Sequence, residues 1–104
     1  MKAYTDLEQS KRLAEILPLE SADMSWVSNG LGNPFARTIP IKGDPEELCA
    51  CWSLAALLGI LPQGTRILKS STNYTYHCDC PKENIDKWFD NPVDACVELI
   101  VKLN

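Results

Sequence analysis

Apolar residues recur at helical spacing near the start of the chain, and charged residues fill the positions between them. Thr5 precedes Glu8 by three residues. This is the spacing of a capping box, in which each side chain accepts a hydrogen bond from a backbone N–H at the start of a helix. Because Pro18 cannot continue a helix, the pattern predicts a surface helix over residues 6–17.

Two short β-prone segments flank a cluster of turn-forming residues. Residues 24–27 favour a strand, residues 29–34 are rich in Asn, Gly and Pro, and residues 37–41 supply a returning strand. Pro40 has no N–H to donate to a sheet, so the returning strand is expected at an edge. The region predicts a first β-hairpin.

The middle of the chain contains its longest apolar run. Asp44 can cap a helix and Pro45 suits the first helical position, so a helix through residues 48–61 is predicted. This run carries no charge, which places the helix at the centre of the core. Ser53 is a second possible cap, and a helix that begins there leaves residues 48–52 extended. Local propensity does not separate the two boundaries.

β-Branched and aromatic residues flank a polar turn in the second half of the chain. Residues 65–69 and 73–79 predict a second β-hairpin, with its turn near residues 70–73. Successive side chains of a strand point to opposite faces. One face of the second strand then carries Tyr74, Tyr76 and Cys78, and the other carries Thr75, His77 and Asp79.

The last element is the clearest helix. Asn91 is a good cap and Pro92 suits the first helical turn. Its polar strip is narrow and consists of Asp94, Glu98 and Lys102. So apolar a helix must be covered by the sheet and the central helix, or by a second subunit. Just before it, apolar residues between positions 85 and 89 have helical spacing, which predicts one or two further turns.

The predicted elements follow the order α-ββ-α-ββ-α. The fold class is therefore α+β, with a small antiparallel sheet of one or two hairpins packed against about three helices. The chain has 104 residues, of which 45% are hydrophobic and 23% charged. This size and balance fit one globular domain that spans residues 1–104.

Charge and hydropathy argue against two classes of partner. The formal net charge is −4, so the chain has no basic field for a nucleic-acid backbone. The N-terminal segment turns polar at once, unlike a secretory signal. The apolar run at residues 54–61 is shorter than the roughly 18 residues of a membrane span. We expect a cytoplasmic protein that binds neither nucleic acid nor membrane.

Five cysteines make an odd number in a chain expected in the cytoplasm, which predicts reduced thiols. Thiolate and imidazole are ligands that zinc prefers. The weak metal candidates are Cys49, Cys51, His77, Cys78 and Cys80. One intervening residue turns two sulfurs about 200° apart on a helix, but to the same side on a strand. The zinc hypothesis therefore depends on where the central helix begins.

A thiol-dependent enzyme is the catalytic alternative, because a thiol needs a nearby imidazole to ionise at neutral pH. His77 cannot serve the adjacent Cys78, since neighbours on a strand point to opposite faces. It would have to reach Cys49, Cys51 or Cys96 across the fold. The sequence predicts no catalytic residue and no cofactor-binding residue.

Aromatic residues are the remaining candidates for function, since exposed Trp and Tyr anchor protein interfaces out of proportion to their number. Trp52 lies within the apolar run and is expected in the core. The interface candidates are Trp26, Tyr74, Tyr76 and Trp88.

Three segments carry a family resemblance in this order. Residues 20–24 are Glu-Ser-Ala-Asp-Met, residues 51–58 are Cys-Trp-Ser-Leu-Ala-Ala-Leu-Leu, and residues 91–98 are Asn-Pro-Val-Asp-Ala-Cys-Val-Glu. The chain resembles a group of small proteins, without an assigned function, from gut-bacterial genomes and their phages and mobile elements. The resemblance implies an accessory bacterial or phage protein that acts inside the cell, and it implies no activity.

Together these patterns favour a non-enzymatic module that self-associates or docks on another protein, through a sheet edge or through the apolar last helix. The alternative is a small zinc-binding or thiol-dependent protein built on the paired Cys-x-Cys units. The favoured interpretation needs no cofactor, and zinc belongs only to the alternative.

Overall fold

Helices and short strands alternate along the chain in the computed structural model, which describes residues 2–28, 34–37, 47–71, 75–85 and 87–104. The helices are α1 (Leu7–Ala14), α2 (Leu54–Ile60) and α3 (Pro92–Leu103), with a 3₁₀ turn at Leu19–Ser21. The strands are β1 (Met24–Ser28), β2 (Pro34–Arg37), β3 (Glu47–Cys51), β4 (Arg66–Lys69), β5 (Tyr76–Cys80) and β6 (Glu83–Asn84). The α+β class predicted from the sequence is confirmed.

The strands form two antiparallel sheets of three strands each. The first sheet has the order β2-β1-β3, and the second has the order β4-β5-β6. The predicted second hairpin is confirmed as β4 and β5, in which Leu68 lies opposite His77. The predicted first hairpin is shifted, because β2 already begins inside the expected turn, at Pro34. Residues 38–41 of the expected strand lie outside the described residues.

The central apolar run is divided between a strand and a helix, and the prediction of one long buried helix is wrong. β3 pairs with β1, and Ser53 caps α2 by accepting a hydrogen bond from the Ala56 N–H at 3.1 Å. The alternative boundary is therefore correct. A helix of seven residues has one face to bury, and this face carries Leu57, while Leu58 is 42% exposed. The helix lies at the edge of the core.

The first helix begins one residue later than its sequence suggests. Asp6 is the cap and forms the capping box with Gln9, at 2.8 and 3.1 Å. The hydroxyl of Thr5 does not cap the helix. It accepts a hydrogen bond from the Trp52 N–H at 3.1 Å. The helix ends at Ala14, three residues short of the position predicted from Pro18.

Between residues 85 and 90, those that the structure describes are not helical, so the prediction of helical turns there is wrong. Phe89 exchanges two backbone hydrogen bonds with Tyr76, at 2.7 and 2.8 Å, and this bridge straightens the chain. The last helix itself is confirmed. The Asn91 side chain accepts a hydrogen bond from the Asp94 N–H at 2.9 Å, and Pro92 occupies the first position.

The core lies where α3 packs against β5 and α2. Its fully buried side chains include Leu13, Trp52, Leu57, Val93, Cys96, Val97 and Leu99. The chain's own elements therefore cover the apolar face of α3, and Trp52 occupies the core as predicted. No helix among the described residues has the length and apolar character needed to cross a membrane.

The carboxylate of Asp94 connects the N-terminal segment to α3. Lys2 Nζ and Gln9 Nε2 donate to Asp94 Oδ1 at 2.8 and 2.7 Å, and Asn91 Nδ2 donates to Asp94 Oδ2 at 2.9 Å. Partial burial raises the pKa of Asp94, but the hydrogen bonds from these three side chains and the charge of Lys2 outweigh it. The pKa of Asp94 therefore lies below its usual value.

We expect the substitution Asp94→Asn to lower the free energy of unfolding by about 1–2 kcal/mol at pH 7, because a charged acceptor shared by three donors is lost. A carboxyl group whose folded pKa is depressed stabilises the fold above its unfolded pKa of about 3.9, and this contribution is lost as the pH falls through the folded pKa. The difference from wild type should therefore shrink in acid. Urea unfolding at pH 7 and pH 3 measures it.

Glu98→Gln is the matched control for this substitution. Glu98 lies one turn further along α3 and forms an exposed ion pair with Arg12 at 3.3 Å. Such pairs contribute about 0–1 kcal/mol, so the control should lose less stability. An equal loss in Asp94→Asn at both pH values would contradict the role assigned to the carboxylate.

Candidate functional site

The cysteines proposed as zinc ligands lie in two different sheets. Cys49 and Cys51 are on β3 of the first sheet, and Cys78 and Cys80 are on β5 of the second. All five cysteines fall within the described residues, and all five are free thiols there. Across those residues, no three His, Cys, Asp or Glu side chains converge as metal ligands. Zinc binding stays a prediction of the sequence that this geometry does not support.

His77 points away from the thiols of its own strand. β5 alternates so that Cys78 and Cys80 are buried while His77 lies on the opposite face. The imidazole packs against Trp88, with ring centroids 5.2 Å apart, and its Nδ1 lies 3.6 Å from the Asp79 carboxylate. None of these contacts is a thiol, so the geometry supplies no base for a cysteine nucleophile.

The thiols differ in how far solvent reaches them. Cys51 is fully buried, and its Sγ lies 3.5 Å from the Thr5 carbonyl oxygen. Burial raises the pKa of Cys51, and hydrogen bonds from Thr5 and Ser10 offset only part of this effect. Cys80 is also buried, whereas Cys49 is half-buried. A raised pKa and poor access both make a thiol unreactive.

We expect iodoacetamide to modify Cys49 before any other cysteine of the folded protein, because thiolate fraction and access limit the rate. Peptide mass spectrometry at a series of times gives the order of labelling. The same reaction in denaturant is the control, and there all five thiols should react at similar rates. Labelling of Cys51 as fast as Cys49 in the folded protein would contradict the burial described above.

The four aromatic interface candidates have different surroundings. Tyr76 faces the core and is buried, and Trp26 donates its indole N–H to the Thr5 carbonyl oxygen at 3.1 Å. Trp88 is 47% exposed. Tyr74 lies outside the described residues. Among the three that the structure describes, Trp88 alone presents a largely exposed ring.

The outer face of the second sheet carries polar and apolar side chains together. We use this name for the face that bears Arg66, Leu68, His77 and Asp79. Arg66 donates through Nε and Nη2 to the two oxygens of Asp79, both at 3.1 Å. Leu68, opposite His77, is 40% exposed. The bidentate pair holds the Arg66 guanidinium against Asp79, and Arg66 and Leu68 lie on the same face of β4.

The backbone of β4 offers unused hydrogen-bonding groups at its outer edge. Ser70 N donates to Thr75 O at 2.8 Å, so Ser70 points its backbone groups toward the strand that follows the turn. This bond establishes which β4 residues point toward β5. Because direction alternates along a strand, Arg66 and Leu68 point their backbone groups toward β5, and Ile67 and Lys69 point theirs away. In the described part of the chain, no strand pairs with that outer edge.

Tyr76 confirms independently which residues of β4 and β5 point their backbone groups toward each other. Its N–H and C=O bond to Phe89, on the side of β5 that faces away from β4. Sequence reasoning predicted docking through a sheet edge, but it did not single out Leu68 or specify which edge. A signal was available, since Leu68 is an apolar residue at a position where strand alternation predicts the polar face. Whether Leu68 lies beside an open strand edge depends on the register between β4 and β5.

An open groove of about 420 Å³ lies where the three helices end. Its walls are Ile16, Leu17, Pro18, Ile60, Leu61, Pro62, Lys82, Ile100, Leu103 and Asn104. Lys82 is the one titratable side chain in this lining. Acid–base catalysis needs positioned titratable partners, so this groove has no arrangement for it.

Comparison with protein-family models, with curated proteins and with solved structures finds no match to this chain. Conclusions about function therefore rest on the geometry of the described residues.

Proposed function

We propose that the protein is a non-enzymatic module that self-associates through the outer edge of β4. The observation that carries the proposal is the pair of residues, Ile67 and Lys69, whose backbone groups point away from β5 at an edge strand. Such an edge is a template for another strand. The resemblance to accessory proteins of bacteria and their mobile elements adds a setting inside a bacterial cell.

A second copy of the chain fits this edge by symmetry. Two-fold dimers are the commonest assemblies, and their interface must complement itself. A two-fold axis perpendicular to the second sheet places Ile67 against the same residue of the second copy, with two reciprocal hydrogen bonds. The result is a continuous antiparallel sheet of six strands.

Charge favours an axis at Ile67 over one at Lys69, the other residue whose backbone groups point outward. A two-fold axis at Lys69 would set two ammonium groups side by side, and like charges directly opposite each other destabilise a strand pair. The axis at Ile67 instead places Leu68 of one copy opposite Arg66 of the other. The aliphatic stem of Arg66 is then the cross-strand neighbour of the exposed leucine.

The magnitude of these contacts indicates weak association. The two outward-pointing residues of β4 supply only a few ladder bonds, each worth about 0.5–1.5 kcal/mol net. Association costs an estimated 4–15 kcal/mol in lost freedom of motion. The dimer should therefore form at high protein concentration and exchange rapidly, as expected of a module that shares its edge with other strands.

Substitutions of Leu68 test the register directly, because this residue faces Arg66 of the second copy. Leu68→Arg places an arginine opposite Arg66 at each of two symmetric sites and should weaken self-association about threefold or more. Leu68→Glu places a carboxylate opposite Arg66 and should strengthen self-association by a similar factor. Sedimentation equilibrium over a range of protein concentrations gives the dissociation constants.

Leu58 on α2 supplies the control, since its exposure of 42% matches the 40% of Leu68. Leu58→Arg and Leu58→Glu make the same changes in net charge away from β4. Net charge alone would favour the arginine variants of this acidic chain, the reverse of the order expected at Leu68. A monomer at every concentration, or equal effects at the two leucines, would contradict the proposal.

A further inference from the structure

Two thiols meet inside the core, between the second sheet and the last helix. Cys78 Sγ on β5 and Cys96 Sγ on α3 lie 4.0 Å apart. Both side chains are fully buried, with 0% exposure. The two residues belong to different elements, so a bond between their sulfurs would join α3 covalently to the central strand of the second sheet.

The two thiols are not equivalent. A hydrogen bond with Cys96 lowers the pKa of Cys78, and this effect exceeds the opposing effect of burial. The same hydrogen bond raises the pKa of Cys96, and burial raises it further. The contact between the two sulfurs at 4.0 Å thus favours one thiolate held by one remaining thiol. An ionised thiol beside a protonated one is the arrangement of an attacking and a resolving cysteine.

We propose that Cys78 and Cys96 form a redox-active pair that hydrogen peroxide converts into a disulfide. The Cys78 thiolate attacks one peroxide oxygen, the O–O bond breaks, and hydroxide leaves and takes up a proton as water. Cys96 sulfur then displaces the hydroxyl group of the Cys78 sulfenic acid, so the S–S bond forms, the S–O bond breaks and a second water leaves. The thiols lose two electrons, and one peroxide becomes two waters.

Formation of this bond requires only local movement. The sulfurs must approach from 4.0 Å to about 2.05 Å, a change of about 2 Å between two neighbouring elements. The bond closes a loop through residues 78–96, and such a cross-link restricts the unfolded chain. Because the pair is buried, a small neutral oxidant has access mainly when α3 opens locally.

Peptide mapping after peroxide treatment tests the pair. The folded protein is exposed to hydrogen peroxide, its remaining thiols are alkylated in denaturant, and the digest is analysed by mass spectrometry. In the intact chain before alkylation we expect a mass lower by about 2 Da and a raised melting temperature, and in the digest a cross-linked peptide that contains Cys78 and Cys96. Reduction in denaturant should reverse all three changes.

Cys80→Ser is the matched control, since Cys80 is buried on the same face of β5, two residues from Cys78. This variant should still form the cross-link, whereas Cys96→Ser should accumulate a Cys78 sulfenic acid that dimedone traps. Peptide mapping of the wild-type protein tests the Cys78–Cys96 pair even if a variant folds poorly. The proposal is overturned if wild type gives no Cys78–Cys96 peptide, or gives one only in denaturant, or if Cys80 is the preferred partner.

Discussion

The buried hydroxyl of Thr5 is the contact on which the first half of the fold depends. Its Oγ1 lies 2.7 Å from the Ser10 hydroxyl of α1 and accepts the Trp52 N–H at 3.1 Å. The backbone of Thr5 donates to the Trp52 carbonyl oxygen at 2.9 Å and accepts the indole N–H of Trp26. A buried polar group left unpaired costs about 1–3 kcal/mol, so these contacts must form together. They fix α1, β1 and the start of α2 around one residue.

The second half of the fold depends on β5, and this explains where a free surface remains. The inner face of β5 packs against α3, and the Asp94 network ties α3 to the N-terminal segment. One side of β5 pairs with β4, and the other pairs with β6 and Phe89. On the outer face Trp88 packs against His77, and the side chains of His77 and Asp79 are only 12% and 13% exposed. Among the described residues, the open backbone groups of this sheet therefore lie at β4. The edge proposed for self-association is a consequence of this arrangement.

Sequence reasoning succeeded where the deciding interactions are local. Asn91 and Pro92 start α3 by contacts within one turn, and alternation in β5 puts Cys78 and His77 on opposite faces, as predicted. It failed where a residue far along the chain determines the local structure. The run after Glu47 is apolar enough for a helix or a strand, and pairing with β1 selects the strand. Thr5 is a residue type that often caps helices. Its hydroxyl instead accepts a hydrogen bond from the N–H of Trp52, 47 positions away. The open edge of β4 likewise depends on register, which composition does not specify.

Amide hydrogen exchange at two neighbouring residues of β4 measures the central claim most directly. The Leu68 N–H points toward β5 and should be protected at every protein concentration, whereas the Ile67 N–H points outward and should exchange quickly in dilute protein. We expect protection of Ile67 to increase as the concentration rises, with Leu68 unchanged. An Ile67 amide that exchanges equally fast at low and high concentration would contradict self-association through this edge.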